Sequence, residues 1–250
     1  MTTKVIAFGD SIMKGIVIDT AKSIADTVKY MVSMDSFSEQ CRRRLNIEVT
    51  NLGKFGSTVK HGMASVDRYM DFVAKADYTL LEYGGNDCDF RWEEIGENPE
   101  GQHSPKISLT EFIAQYDAML AKIQQAGSRP VLLSLPPLAS DKYFNSFTRK
   151  LSEQNRQNIL DWLGGSVDAI NNWHEMYNLE IFKLAAVRRV PIIDITSAFL
   201  NKRDFKEYLC DDGIHPNERG HHLIADVVCD YFMKNIDKIN AVTGLRTQTA

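Results

Sequence analysis

Val5-Ile6-Ala7-Phe8-Gly9-Asp10-Ser11 is the stretch from which the rest of this sequence is read. Four apolar residues running into Gly-Asp predict a buried strand that ends in a tight turn. A serine at the carboxyl end of a first parallel strand stands where open α/β sheets place their chemistry. By itself Gly-Asp-Ser is equally an ordinary Asx or Ser turn capping a helix.

Working outward, the same pattern of apolar run followed by glycine-bearing loop recurs. Ile47 to Leu52 alternates as a second strand and stops at Gly53-Lys54-Phe55-Gly56-Ser57-Thr58. Tyr78 to Tyr83 is a third strand, stopping at Gly84-Gly85-Asn86-Asp87; Pro130 to Leu135 is a fourth, and Pro191 to Ile195 a fifth. Helical periodicity separates them. Ser36 and Glu39 read as a capping box before a helix through Leu45, and Met63, Val66, Met70 and Val73 form one helical face. Leu109 to Gln125 is closed by Gly127, Leu179 to Val187 precedes the fifth strand, and Asn217 caps a last helix. Residues 12–29 are only weakly periodic. Residues 88–107 and 138–178 are insertions after the third and fourth strands, the second helix-compatible and broken at Gly164-Gly165; the segment 240–250 is a polar tail.

Strands alternating with helices predict a single-domain, three-layer α/β/α fold with a five-stranded parallel sheet. A flavodoxin-like order, 2-1-3-4-5, would make the first three loops neighbours at the switch point. The 250 residues, 44% of them apolar, suit one domain with a sizeable core. A net charge of −4 offers no electrostatic case for nucleic acid or an anionic membrane. The run Arg42-Arg43-Arg44 reads as a helix C-terminus. No secretory signal and no apolar run of about 18 residues stand out. Cys41, Cys88, Cys210 and Cys229 lack metal or disulfide-scaffold spacing, so a reducing cytoplasm is the expectation. No feature speaks to oligomeric state.

The fourth motif lies far downstream, at Asp212-Gly213-Ile214-His215-Pro216. A serine nucleophile needs a base, and a histidine base needs an orienting acid. Pro216 keeps His215 out of the following helix, and Gly213 allows a turn that brings the Asp212 carboxylate to the imidazole. Loops after the first three strands would supply a nucleophile, a backbone N–H and a side-chain amide, the set an oxyanion requires. Blander readings remain open: a capping turn at Asp-x-x-His, a plain Asn-Asp loop, or Asp212 and His215 joining Asp87 or Asp89 as metal ligands. His221 and His222 fall on the last helix's surface and first turn. His61, His103 and His174 read as structural or exposed.

Together the four motifs resemble the SGNH (GDSL-type) hydrolase family over nearly the whole chain. Gly9-Asp10-Ser11, Asn51 to Gly56, Gly84 to Asp87 and Asp212 to Pro216 correspond to its four blocks, in order. The resemblance implies Ser11 as nucleophile, His215 as base, Asp212 as orienter, and an oxyanion hole from Ser11, Gly56 and the Asn86 amide. Gly56 rather than Gly53 follows from its place before the small polar Ser57. An α/β-hydrolase is excluded, because Gly9-Asp10-Ser11-Ile12-Met13 lacks the second glycine of the nucleophile elbow. The expected activity is hydrolysis of a small-molecule acyl ester, small or carbohydrate-linked and short in its acyl part, without cofactor or metal. Thioesters, lysophospholipid-type long chains, or a non-catalytic flavin- or sugar-binding module are the alternatives.

Three finer expectations concern the surroundings of the site. Asp10 and Asp87, with Phe90, Trp92, Tyr143 and Phe144 from the insertions, are expected on the substrate side, the rings forming a partial lid. A lid favours short acyl groups. Cys88 and Cys210, each two residues from a site residue, are expected as neighbouring thiols flanking the site.

Overall fold

The computed structural model describes residues 2–24 and 27–246. Seven strands occur in it: β1 (Lys4–Gly9), β2 (Ile16–Ile18), β3 (Tyr30–Val32), β4 (Glu48–Asn51), β5 (Tyr78–Glu82), β6 (Arg129–Leu133) and β7 (Ile192–Ile193). Five of them form one parallel sheet in the order β4-β1-β5-β6-β7, which is the expected 2-1-3-4-5 arrangement of the core strands. The sheet is buried on both faces because β1 supplies both: Val5 and Ala7 join one apolar cluster, Ile6 and Phe8 the other. Helices Phe37–Leu45, Ile195–Leu200 and Glu218–Arg246 cover the first face; Val59–Arg68, Leu109–Gln125 and Asp168–Arg188 cover the second. No helix among the described residues is long and apolar enough to cross a membrane.

Several elements differ from the sequence-based expectation. The weakly periodic stretch after Ser11 contains a second, two-stranded antiparallel sheet of β2 and β3, with Val17 opposite Met31. Three-residue strands are too short to show a period. The fifth core strand has only two residues, because the Asp194 side chain accepts from Ser197 N–H at 2.9 Å and turns the chain into a helix at once. The last helix continues to Arg246, past Asn240 where a tail was expected; residues 247–250 lie outside the described residues. His221, expected on that helix's surface, is fully buried against Phe37, and burial pushes its imidazole down to about 4.

The two insertions do not trail into solvent. Residues 88–107 contain a short helix, Trp92–Glu97, and 138–178 contain helices Ser140–Thr148 and Glu153–Trp162 and the start of Asp168–Arg188. Phe90, Trp92, Ile95, Leu138, Phe144, Ile159 and Ile170 form a third apolar cluster that joins the insertions to each other. A bond from Asn158 Nδ2 to the Gly96 carbonyl, 2.8 Å, ties the two further. This cluster stands beside the carboxyl edge of the sheet as a roof.

Candidate active site

β1 ends at Gly9, whose Cα lies opposite Glu82 of β5; a Cβ there would come within 2.5 Å of the Met13 side chain and 2.8 Å of the Glu82 carbonyl. The chain then turns sharply into a single helical turn, Ser11–Lys14, capped by Asp10, whose Oδ1 accepts the Ile12 N–H at 2.8 Å. Ser11 becomes the first residue of that turn, so its own N–H has no intrahelical partner.

The Ser11 hydroxyl stands 2.9 Å from His215 Nε2, and His215 Nδ1 stands 2.7 Å from Asp212 Oδ2. Asp212 Oδ1 accepts the N–H groups of Ile214 and His215, both at 3.1 Å. The carboxylate therefore shapes the turn with one oxygen and holds the imidazole with the other. Gly213 permits this turn: its φ is +77°, and a Cβ would lie 2.6 Å from the Ala139 carbonyl and the Tyr143 amide. Burial alone would raise the Asp212 carboxyl, but the bond to His215, its charge and the two N–H groups hold it below the usual carboxylate range. With the carboxylate ionised, Nδ1–H donates to Asp212, leaving Nε2 as an acceptor for the Ser11 hydroxyl.

A layer of acid lies beneath the Ser11 turn. Glu82, fully buried, accepts through Oε2 from Asp10 N–H at 3.4 Å and Met13 N–H at 3.3 Å. Burial, and then the Asp10 charge, push its carboxyl far up. Burial raises the Asp10 carboxyl too, against the lowering effect of the donors from Ile12 and Asn86.

Asn86 Nδ2 donates to Asp10 Oδ2 at 2.8 Å. That fixes the amide plane at the cavity wall and leaves its second N–H for a ligand. Asp10 borders the cavity too, yet both its oxygens are spent on Ile12 and Asn86. Asp87 is a correction: expected beside substrate, it is fully buried and caps the helix behind the site, its Oδ1 accepting Val59 N–H at 2.8 Å. Burial pushes its carboxyl up to about 7. Phe144 is a second correction, since it packs inside the roof cluster and does not line the cavity. Phe90, Trp92 and Tyr143 do line it. Asp89 holds two of these three: Oδ1 accepts from Trp92 Nε1 (2.8 Å) and the Tyr143 hydroxyl (2.7 Å), and Oδ2 pairs with Lys106 (2.7 Å). With Asp87 at the helix and Asp89 in the roof, neither joins Asp212 and His215 as a ligand cluster.

Gly56 occupies an exposed turn at φ +69°, and no hydrogen bond among the described residues takes its N–H. Its neighbour Phe55 reaches the cavity. Cys88 lines the cavity with Sγ against the Gly85 carbonyl (3.3 Å), whereas Cys210 packs against the Pro216 carbonyl (3.8 Å), and no bond among the described residues links the two thiols. The thiols that do meet are Cys41 and Cys229, 3.2 Å apart in the core.

Sequence reasoning missed two rings beside His215. Tyr30 of β3 and Phe55 lie 5.1 and 5.6 Å from the His215 ring, and 5.3 Å from each other. Both remain partly exposed, so they flank His215 at the open mouth. The Tyr30-Met31-Val32 triplet was the only signal, and nothing in it indicates a hairpin folding back over His215. His103 and His174, read as structural or exposed, also line the cavity. Its volume is about 530 Å³. The roof thus arches over open space instead of closing down on Ser11, and leaves room for more than a short acyl group.

The GDSL-like lipase/acylhydrolase family profile matches residues 7–223. The spore germination lipase LipC of Bacillus licheniformis is 24% identical over 157 residues, 63% of this chain; the match spans 64% of that lipase's own length. A lipase/acylhydrolase from Enterococcus faecalis superposes with a TM-score of 0.59 at 16% identity, covering 92% of this chain and 95% of its own. A catalytic mutant of Axe2, an acetylxylan esterase from Geobacillus stearothermophilus, superposes at 0.58 with 16% identity, covering 91% and 94%. At these identities the structural likeness is one of fold.

Proposed function

The chain belongs to the GDSL-like lipase/acylhydrolase family, and on that premise we propose that it is a carboxylic ester hydrolase working through an acyl-enzyme on Ser11. The observation that carries the reading is the continuous chain Ser11 Oγ, His215 Nε2, His215 Nδ1, Asp212 Oδ2, at 2.9 and 2.7 Å.

As Ser11 Oγ attacks the ester carbonyl, Nε2 takes the hydroxyl proton and Asp212 stabilises the imidazolium. The oxyanion forms against the Ser11 N–H, the free Asn86 N–H and the Gly56 N–H. Collapse of the tetrahedral intermediate expels the alcohol, which receives the proton from Nε2. Water, deprotonated by the same nitrogen, then attacks the acyl-enzyme and releases the acid. Since the imidazolium must reach the leaving oxygen, the alcohol sits on the His215 side, against Tyr30 and Phe55 at the open mouth. Two aromatic faces there suit a carbohydrate-linked or other bulky alcohol. The acyl group goes the other way, past Asn86 into the cavity below the roof. Glu82 and Asp10 position the turn without touching substrate.

A pre-steady-state burst on a p-nitrophenyl ester tests this. One equivalent of nitrophenol per chain is expected, absent in Ser11→Ala; a linear trace unchanged by Ser11→Ala would overturn it.

A further inference from the structure

The cavity that Ser11 opens onto has walls suited to a flat group. Phe90, Trp92, Trp162 and Trp173 line it, with Pro136 and Pro137 adding apolar surface. The Phe90 ring centroid stands 5.2 Å from Trp162 and 5.8 Å from Trp173, and Trp92 stacks on Phe147 at 4.7 Å. These rings brace one another, so the walls are fixed before a ligand arrives.

Polar side chains also line the cavity, among them Asn86, Asp89, His103 and Tyr143, and the more deeply placed of the two insertion histidines is His174. His174 lines the cavity while only 5% exposed. Its Nδ1 is sealed in protein, 3.5 Å from Glu175 Oε1, too long for a hydrogen bond but close enough to orient the ring. Glu175 is held in turn by Asn178 Nδ2 (3.1 Å), and Asn178 Oδ1 accepts the Leu135 N–H (2.9 Å) just beyond β6. The carboxylate favours the proton on Nδ1. Nε2 is then an acceptor, it has no hydrogen-bond partner among the described residues, and it is the edge left to face the cavity. An alkyl chain or a plain ring would leave that acceptor dry and unpaired.

We infer that the acyl group this enzyme selects is aromatic and carries a hydrogen-bond donor, a ring hydroxyl, placed against His174 Nε2. The inference rests on Ser11 being the nucleophile that opens onto this cavity, and it makes His174 a specificity-determining residue. It also separates a hydroxyl from a methoxyl, which offers no donor.

The test compares kcat/KM for the methyl esters of 4-hydroxycinnamic, 4-methoxycinnamic and cinnamic acids, in the unmodified enzyme, His174→Leu and His174→Gln. Calorimetric binding of the three free acids to the same proteins runs alongside, and circular dichroism checks the fold. The unmodified enzyme should favour the hydroxylated ester by about tenfold or more over both others. His174→Leu should bring that ratio to within about twofold of unity, and His174→Gln, which keeps an acceptor, should recover part of it. If His174→Leu does not fold, the hydroxy-against-methoxy ratio in the unmodified enzyme decides. A ratio near unity there, or one that survives in His174→Leu, overturns the inference, as does hydrolysis of acetate with no binding of any aryl acid. Failure to hydrolyse any ester refutes the nucleophile reading instead; the acids' relative binding then decides the His174 contact alone.

Discussion

Asp212→Asn isolates the carboxylate from the turn it shapes. The amide oxygen can keep accepting from Ile214 and His215 N–H, both now at 3.1 Å, so the loop should stay in place. Its NH₂ then faces His215 Nδ1, which must give up its proton and accept. The proton moves to Nε2, and the ring presents a donor to Ser11 where a base is required. The lost attraction can be sized. Opposite unit charges 2.7 Å apart at an effective dielectric constant of about 20 attract by about 6 kcal/mol. That is a factor of about 10⁴ in rate. We expect kcat on a p-nitrophenyl ester to fall by three to four orders of magnitude, roughly, with KM nearly unchanged, since the carboxylate does not line the cavity. A loss smaller than about tenfold in a folded variant would refute this reasoning, because the imidazole would then be oriented by something else.

The Asp87 carboxyl, held at about 7 in the fold, binds a proton that the unfolded chain has already lost, so stability should decline as pH rises from about 4 to 7 and then level off. Asp87→Asn keeps the acceptor for Val59 and should gain on the unmodified protein by up to about 4 kcal/mol across that window in urea unfolding; parallel curves would count against it. Asp89→Asn weakens the tie among Trp92, Tyr143 and Lys106, and should lower the Tm and raise the ratio of long- to short-acyl turnover severalfold; an unchanged ratio would remove the roof from acyl selection. Cys41 and Cys229, already 3.2 Å apart, should be the pair that oxidised glutathione joins, seen as a loss of about 2 Da and a single cross-linked peptide pair; a Cys88–Cys210 link would contradict the packing described above.

The core of the fold was legible because it follows from two periods and their punctuation. Val5 to Phe8, Tyr78 to Glu82 and the helix ending before Gly127 announce themselves locally. The Asp212 to His215 turn was legible too, since glycine and proline leave few conformations to that stretch. Tyr30 and Phe55 were not, as their position over His215 depends on a hairpin closed by contacts such as Ser33 N–H to the Gly15 carbonyl (2.8 Å), which no local pattern records. Asp87 misled for a related reason. It follows Asn86 directly, but successive residues in a tight turn point apart, and one faces the cavity while the next caps the helix at Val59. His174 looked like a helix residue among aromatics; that its face opens onto a cavity is set by the other insertion, residues 88–107, which contributes Phe90 and Trp92 to the same wall, and by nothing near it in sequence.

The most direct measurement is the mass of the intact protein, and of its proteolytic peptides, after treatment with a fluorophosphonate. One phosphonyl adduct per chain is predicted, on the peptide bearing Ser11, lost in Ser11→Ala and slowed in step with turnover in Asp212→Asn. No adduct on native, folded protein, or an adduct on another residue that persists in Ser11→Ala, would contradict the account.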